Sequence, residues 1–538
     1  MPSDSKSTSF VSFALVLWVG WCISSCVPCF GQAHQTQAWH MTSATPLNGA
    51  QVMPLNPFEL ESDSVTSLRV FEVNGYATPQ WSPGARLQGS WIELPSAGGV
   101  GWRAGLTIQG GHKRWKWEGT ADHWRVAGVH ESDWNEAWQW GVWDGMGYAW
   151  NPNGADIAIA RVTGSVSYQV SPSVALDLGK NQHHWGKGWR SLWHDRQAAA
   201  LPYARLSANA GKVHYTHLIG STMHLGVGSP PALPPNGRNN PGTYTTKKRA
   251  WMASHVVDVE LGGGWNAGLF GAVTWLHADS GYSHRFEPAY ALPFIAFRPT
   301  EYAIGSADNA LIGASLEWIP RFAKKQVLIY GQLLFDEMVV SELLSSDGWW
   351  ANKWSVLGSI QWRSSNEHWF VVLEASGVRP YTYSHASSSQ SWTHQNQPLA
   401  HPGGSNFVEG RFHVQWKNNR WSWHTGAVYM RKGIDESSEL GMEPSASVGS
   451  NPLLSYTTRP EEYGIDWIYD GNGLVGDAGI QNVARLWMDL GYALPQLGGQ
   501  EAFVRGMMRK ESGAQADQAW WRLEVGIRVN RVFEERNW

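Results

Sequence analysis

The segment 520–530 carries the pattern that most limits what this sequence can fold into. Trp521, Leu523, Val525, Ile527 and Val529 alternate with Arg522, Glu524, Gly526, Arg528 and Asn530. Side chains alternate across a β-strand with a period of two residues, so this strand has one apolar face and one polar face. A half-polar strand can cross a lipid bilayer only in a closed barrel, because lipid offers no partner for an unpaired backbone N–H or C=O group.

The same alternation recurs along most of the chain. It is clearest in the segments 162–170, 213–219, 354–362, 411–417, 421–429 and 484–492. We find roughly 16 to 18 such segments of about 9 to 13 residues, a length that suits tilted membrane strands. The number and spacing of these segments predict an all-β protein: a transmembrane, antiparallel outer-membrane β-barrel of about 18 strands with a short N-terminal lead-in.

Aromatic residues support the prediction of a membrane protein. The chain has 35 Trp, and aromatic residues make up 13% of it. Trp and Tyr favour the headgroup level of a bilayer, where the ring is buried while its N–H or O–H stays hydrated. Composition alone also allows a soluble β-sandwich or propeller with an aromatic core. After the first thirty residues no stretch approaches the ~20 continuous apolar residues that a spanning helix needs.

The N-terminus resembles a targeting segment. An apolar run, 10–23, follows Lys6 and precedes small residues, which is typical of a secretory signal peptide. The simplest cleavage site follows Gly31 or Ala33. The alternative is a lipoprotein processing box that would leave a lipidated Cys26.

The cysteines and the charge exclude several classes of function. The only cysteines are Cys22, Cys26 and Cys29, so cleavage after Gly31 removes all of them, together with any disulfide or cysteine chemistry. The net charge of −4 indicates no nucleic-acid partner. The sequence has no phosphate-binding loop, dinucleotide fingerprint or nucleophile elbow, and we expect no cofactor.

These features predict three regions. Residues 1–31 form the signal peptide, 32–95 a periplasmic or plug-like lead-in without clear periodicity, and 96–538 the barrel. The proline-rich stretch 229–248 and the stretch 435–477 are the longest irregular segments within the barrel region. They are typical of long extracellular loops.

Four separated blocks resemble the Wzi-type capsule assembly family, and within it the branch found in Bacteroidetes, some of whose members are linked to gliding motility. The blocks are 179–192 with Pro202 and 212–216; 297–301 with 305–309; 330–337 with 349–353; and 378–385 with 393–394, 399–402 and 406–407. The resemblance covers roughly residue 102 to the C-terminus and departs from the family at 193–196, where Trp-His-Asp-Arg replaces a Ser-Asp-Asn stretch. It implies an 18-stranded barrel that acts as a lectin for capsular polysaccharide.

The blocks contain the side-chain types that bind sugars. An aromatic ring can stack on the apolar face of a sugar, while a guanidinium fork can hold an acidic sugar in bidentate fashion. The predicted polysaccharide-binding residues are Trp185, Trp189, Arg190, Arg298, Glu301, Arg379, Tyr381, Tyr383, His385 and His401. The structural alternative is that these residues brace the barrel lumen, for example through an ion pair between Arg298 and Glu301.

Two further kinds of site are not favoured. His183 and His184 are neighbours that would point to opposite faces of a strand, and no metal-binding motif is present, so no metal site is predicted. Asp336 and Glu337 form an acidic pair, but adjacent carboxylates on a strand also diverge, whereas glycoside hydrolysis needs two carboxyl groups facing one bond. We therefore expect no enzymatic activity.

Three functional hypotheses follow. The first is an outer-membrane protein that binds and anchors, or helps assemble, capsular or exopolysaccharide. The second is a porin-like channel for small solutes, and the third is a structural component of gliding-motility or adhesin-secretion machinery. The expected partners are polysaccharide, outer-membrane lipid and the barrel-assembly machinery, and the protein is expected to be a monomer.

Overall fold

A computed structural model describes most of the chain beyond residue 81, all of it within a compact unit spanning Met41–Trp538. The described residues are 82–93, 98–127, 142–143, 147–148, 156–224, 248–277, 286–292, 297–305, 308–320, 326–337, 341, 349–434, 447–459, 479–494, 500–513 and 517–528. The predicted signal peptide, the lipidation alternative at Cys26 and the lead-in up to residue 81 lie outside this part of the chain.

Within the described residues the dominant element is one 18-stranded sheet in which every pairing is antiparallel. The strands are β1 (Ser82–Glu93), β2 (Gly98–His112), β3 (Trp115–Ala127), β4 (Val142–Trp143), β5 (Gly147–Tyr148), β6 (Asp156–Ser171), β7 (Val174–Asn181), β8 (Leu201–Ala210), β9 (Val213–His224), β10 (Lys248–Gly262), β11 (Trp265–Leu276), β12 (Asn309–Trp318), β13 (Val327–Glu337), β14 (Lys353–Arg363), β15 (Trp369–Val378), β16 (Thr393–His394), β17 (Gln397–Pro398), β18 (Phe407–Lys417), β19 (Trp421–Gly433), β20 (Ile480–Leu494), β21 (Gln500–Gly513) and β22 (Gln518–Arg528). The pairs β4–β5 and β16–β17 form two small hairpins apart from this sheet.

The large sheet closes on itself. Each strand pairs with the next large strand in the chain, and β1 pairs with both β2 and β22. Closure removes the unpaired strand edges that would otherwise be exposed to lipid. Because β1 begins at Ser82, the predicted start of the barrel at residue 96 is wrong: the first strand lies inside the stretch assigned to the lead-in.

The two ends of the barrel have different connections. Short turns such as 172–173 and 211–212 lie at one end, whereas the links β7–β8, β9–β10, β11–β12, β13–β14, β15–β18 and β19–β20 lie at the other. Outer-membrane barrels have short periplasmic turns and longer extracellular loops. The end with the long links is therefore the extracellular end.

The barrel wall is apolar outside and polar inside, which confirms the predicted alternation. On β14, Val356 and Ile360 face outward while Ser355, Ser359 and Gln361 are buried. The outward face has large apolar side chains at exposures of 36% or more, including Val162, Leu178, Leu269, Ile312, Leu316, Leu333, Leu373, Phe412, Leu486, Met488, Val504 and Trp521. A continuous apolar exterior on a closed β-barrel fits lipid and not water.

An aromatic girdle surrounds the end with the short turns. Ring pairs link neighbouring strands there: Trp115 with Tyr168, Trp265 with Trp318, Trp369 with Trp416 and Trp423, and Trp421 with Tyr492. Such girdles mark the level of the lipid headgroups. The closed wall, its apolar exterior and this girdle identify the protein as an outer-membrane β-barrel.

Two short helices pack on the outside of the wall. They are α1 (Pro288–Ala291) and α2 (Phe297–Ile304), both in the β11–β12 link. Tyr290 packs against Trp275, and Phe297 stacks on His255 with ring centroids 4.5 Å apart. The helices cover the outer face of β9 to β12, and β9 is consequently buried on both faces over 215–218, which its alternation alone did not predict. No helix among the described residues is long and apolar enough to cross a membrane.

Candidate functional site

Two links fold inward and occupy the lumen. The first plug segment, 182–200, joins β7 to β8, and the second plug segment, 379–406, joins β15 to β18. Most of their side chains are buried. Buried irregular backbone needs polar partners, because an unpaired N–H or C=O group in the interior is costly. The inward-facing polar side chains of the wall supply many of those partners.

The first plug segment crosses the full width of the barrel. The backbone N–H groups of Trp189 and Arg190 donate to the Glu374 carboxylate on β15, at 2.6 and 2.8 Å. The Trp189 ring packs on His413 of β18, with ring centroids 4.3 Å apart. β7 is fifth and β18 fourteenth in the ring of eighteen strands, so they lie nine positions apart, on opposite walls.

Gln332 on β13 holds the middle of the first plug segment. Its Oε1 accepts the N–H of Leu192 at 2.7 Å, and its Nε2 donates to the carbonyl oxygen of Trp185 at 3.2 Å. On β10, Ser254 Oγ lies 3.0 Å from His194 Nε2. These contacts attach one segment to several strands around the wall.

The second plug segment reaches strands on the other side of the lumen. The hydroxyl of Thr274 on β11 donates to the carbonyl of Gln390. His394 Nδ1 accepts the N–H of Met223 on β9 at 3.1 Å, and His394 Nε2 donates to the Ala200 carbonyl at 3.2 Å. Both ring nitrogens are used, which requires the neutral imidazole.

The two plug segments also bind each other. Trp392 Nε1 donates to the Trp193 carbonyl at 2.8 Å, and the Tyr383 hydroxyl donates to the Leu192 carbonyl at 3.0 Å. The Asp195 N–H donates to the Leu399 carbonyl at 2.8 Å. The resemblance blocks are distant in sequence, and all four contribute contacts to the plug. In the second block, Asn309 Nδ2 donates to the Gln390 carbonyl at 3.0 Å, and Asp308 Oδ1 accepts from Gln390 Nε2 at 3.3 Å.

A buried ion cluster connects the second plug segment to the wall. Lys353 Nζ lies 3.2 Å from Asp336 Oδ2 and 3.5 Å from Glu337 Oε1, and Asp336 also accepts the N–H of Tyr383 at 2.7 Å. The register of β13 on β14 shifts between Phe335 and Glu337, which brings both carboxylates to one ammonium group. The expectation that these two carboxylates diverge is therefore wrong.

The predicted sugar-binding residues are mostly interior. Trp185, Trp189, Arg190, Arg379, Tyr381, Tyr383, His385 and His401 lie in the plug segments and are 0–7% exposed. Glu301 is buried in α2 on the outer wall, apart from the others, and Arg298 belongs to α2 but its side chain lies outside the described residues. This burial favours the bracing interpretation, and direct ligand contact by these residues stays a prediction.

The histidines of the first plug segment are not on a strand. β7 ends at Asn181, so the reasoning that placed His183 and His184 on opposite strand faces does not apply. Burial lowers the pKa of His184 and of His194 to about 3. Both are neutral at neutral pH. In the described part of the chain no group of three or more His, Cys, Asp or Glu side chains could hold a metal ion.

Above the plug, the β13–β14 and β19–β20 links form a partly exposed cluster that we call the aromatic platform: Trp349, Trp350, Tyr456 and Arg459. The Arg459 guanidinium lies over the Trp350 ring, 3.6 Å from its centroid. Tyr456 packs on Trp350 at 5.5 Å, and Trp349 does so at 6.3 Å. Trp349, Tyr456 and Arg459 are each half-buried, whereas Trp350 is buried.

The platform rests on the second plug segment. Tyr381 packs edge-on against Trp350 at 5.8 Å, and its hydroxyl donates to the Ser447 carbonyl at 2.6 Å. Sequence reasoning placed Trp349 and Trp350 in a resemblance block without giving them a role. The sequence does not indicate a role for Tyr456 and Arg459, because they lie in an irregular stretch and the residues that contact them come from two other links.

Comparisons with known proteins give only distant likenesses. No family model matches the sequence, and no curated protein matches it. Among solved structures the chain is similar to Wzi from Escherichia coli, an outer membrane protein involved in group 1 capsule assembly and a carbohydrate-binding β-barrel (12% identity, TM-score 0.49, covering 84% of this chain and 85% of that one). It is also similar to OccD3 (OpdP) of Pseudomonas aeruginosa (9% identity, TM-score 0.41, covering 85% and 92%) and to OccK8 (OprE) of the same organism (9%, 0.40, 82% and 96%). Likenesses with sequence identities and TM-scores this low do not assign a function to this chain.

Proposed function

We propose that this outer-membrane barrel binds polysaccharide at the cell surface and holds it there, with the aromatic platform as the contact surface. The observation that carries the proposal is the set of half-exposed Trp349, Tyr456 and Arg459 at the extracellular end of the barrel. Aromatic rings stack on sugar faces, and a guanidinium group binds carboxylates or hydroxyl rims.

The plug supports this proposal by fixing the platform. Tyr381 beneath the platform belongs to a segment that is hydrogen-bonded to the wall and to the first plug segment. A rigid support means that little conformational entropy is lost when a ligand binds. The plug residues named by the resemblance act in this proposal as positioning residues for the platform.

Binding of purified barrel to exopolysaccharide extracted from the source cell tests the proposal. The double variant Trp349→Ala/Tyr456→Ala should bind about tenfold or more weakly in calorimetry, because each lost stacking surface is worth roughly 1 kcal/mol. The matched control is Trp421→Ala/Tyr492→Ala, which removes a Trp–Tyr pair from the girdle at the other end and should bind normally. Equal affinity of both double variants would contradict the proposal.

A porin-like channel is the second candidate. It is favoured by charged groups on the inner wall, such as Arg505, which pairs with Asp489 at 2.9 Å and with Glu524 at 3.3 Å. Planar-bilayer recordings separate the two functions: an anchor with both plug segments in place should show no steady openings, whereas a channel should conduct continuously. The motility or adhesin role stays a prediction, and co-purification with envelope machinery from crosslinked cells tests it.

A further inference from the structure

We propose that the outer face of β19 to β21 is a binding site for the phosphorylated headgroup of a glycolipid in the outer leaflet. Two cationic side chains, Arg431 on β19 and Lys510 on β21, are exposed on a face whose other described, exposed side chains are uncharged. The inference rests on the placement in the outer membrane and is independent of the polysaccharide proposal.

The strand parity places both cations on the lipid side. Arg431 follows the outward series Trp421, Trp423 and Tyr429 along β19, and Lys510 follows Val504 and Met508 along β21. The neighbouring Lys432 faces inward, where its Nζ donates to the Gly403 carbonyl. The two outward cations therefore do not belong to the lumen network.

Their height matches the outer headgroup level. Arg431 lies ten residues along β19 from Trp421, a residue of the girdle at the other end. At ~3.3 Å per residue and a strand tilt of ~40°, ten residues rise about 25 Å along the membrane normal. That rise equals the height of the apolar band of an outer-membrane barrel, ~25 Å. Lys510 lies slightly lower, and its flexible side chain can extend to the same level.

No described residue on this face neutralises the two cations. The acidic residues of the three strands, Asp489, Glu501 and Glu511, are buried on the inner side. Within the described residues neither Arg431 nor Lys510 has an ion pair, so their charge is available to an anion. Two unpaired cations beside lipid are costly unless an anion accompanies them.

The surroundings fit the remainder of such a lipid. The Tyr429 hydroxyl donates to Asn482 Oδ1 at 2.9 Å, and the Asn482 amide donates to the Ser512 carbonyl at 3.3 Å, so polar groups bridge the three strands beside the cations. Below them the wall is apolar, with Leu486, Met508 and Trp521 about half exposed. A bound glycolipid would place its phosphate on the cations, its sugar hydroxyls beside Asn482 and its acyl chains on the apolar wall. These groups occur in the same order along the lipid, from headgroup to tail.

Native mass spectrometry of the detergent-solubilised full-length barrel, titrated with diphosphorylated lipid A, tests the inference. The variant Arg431→Gln/Lys510→Gln should bind about tenfold or more weakly, because charge-assisted hydrogen bonds to phosphate are lost. The control Arg420→Gln/Lys212→Gln makes the same charge change at exposed positions near the other end and should bind like the parent. The charge-conserving variant Arg431→Lys/Lys510→Arg should retain most of the affinity.

A comparison of lipids with and without phosphate identifies the group that is bound. Dephosphorylated lipid A should bind the parent protein as weakly as diphosphorylated lipid A binds the Gln variant. Inorganic phosphate at millimolar concentration should not displace the intact lipid, because it lacks the acyl chains. Equal binding of both lipids by the parent, or equal binding of diphosphorylated lipid by the Gln variant and its control, would overturn the inference.

Discussion

Lys353 shows how single residues hold the plug in place. Its ammonium group is fully buried and pairs with two carboxylates, one of which also accepts a backbone N–H of the second plug segment. Removing one member of a buried ion cluster leaves charge without a partner in the interior, which destabilises more than the loss of an exposed pair.

Lys353→Met should therefore lower the free energy of unfolding by about 3–5 kcal/mol. Urea unfolding of the refolded barrel, followed by tryptophan fluorescence, measures the change. Lys212→Met, at an exposed turn, is the control and should shift the midpoint little. An equal midpoint for the two variants would mean that the cluster does not stabilise the fold.

The backbone at the predicted site residues could not be read from the sequence. Tyr381 and Tyr383 adopt φ values of 61° and 75°, a left-handed conformation that is uncommon for residues with a side chain. It is maintained by contacts from other links, such as the Tyr381 N–H donating to the Gly449 carbonyl at 2.9 Å. Sequence reasoning named these residues as candidates, but it did not predict that their side chains are buried in the plug.

At the level of elements, strands and plug segments differ in how far the sequence predicts them. A strand in the wall separates lipid from a polar interior, so its alternating apolar and polar residues show which side chains face lipid and which face the interior. A plug segment is surrounded by protein on all sides, so its sequence has no regular alternation of apolar and polar residues. The helices α1 and α2 cover strands whose sequence pattern alone predicts a lipid-facing surface. Tertiary contacts from distant segments determine both features.

The plug segments should loosen as the pH falls. Burial lowers the pKa of His184, His194 and His394 to about 3, below the ~6.5 of the unfolded chain. Between these values the unfolded state binds more protons, so stability is complete above about pH 6.5 and decreases on acidification. The loss reaches about 2 kcal/mol per histidine by pH 5 if each titrates independently.

Hydrogen exchange at pH 7 and pH 5, corrected for intrinsic rates, measures this effect. Amides in 182–200 and 393–401 should lose protection at pH 5, while those of β20, which contains no histidine, serve as the internal reference. Unchanged protection of the plug segments, or weaker protection at the higher pH, would contradict the neutral-histidine account.

On the scale of the whole molecule, the membrane orientation makes a depth-dependent prediction. Leu373 is 56% exposed on the outer wall, four residues along β15 from the girdle residue Trp369. Leu373→Arg should cost about 2–4 kcal/mol on folding into vesicles, as a cation does near the bilayer midplane. Val170→Arg, near the short-turn end of β6, should cost about 1 kcal/mol or less. Equal costs would argue that the wall does not face lipid.

The sequence predicted the barrel, its closure into about 18 strands and its polar interior, because the alternating pattern from which they are inferred recurs in strand after strand. It did not predict the aromatic platform, which assembles from the β13–β14 and β19–β20 links and rests on the β15–β18 link. No period connects those links, and only the folded wall brings them to the same end.

Polysaccharide retention on cells tests the central claim most directly. Cells carrying Trp349→Ala/Tyr456→Ala in place of the parent protein are compared with the parent strain, with a deletion strain and with the Trp421→Ala/Tyr492→Ala control, measuring cell-attached and shed polysaccharide separately. A surface anchor predicts that attached material falls and shed material rises at constant total in the platform variant and the deletion strain, but not in the control. Unchanged attachment in the deletion strain would contradict the account.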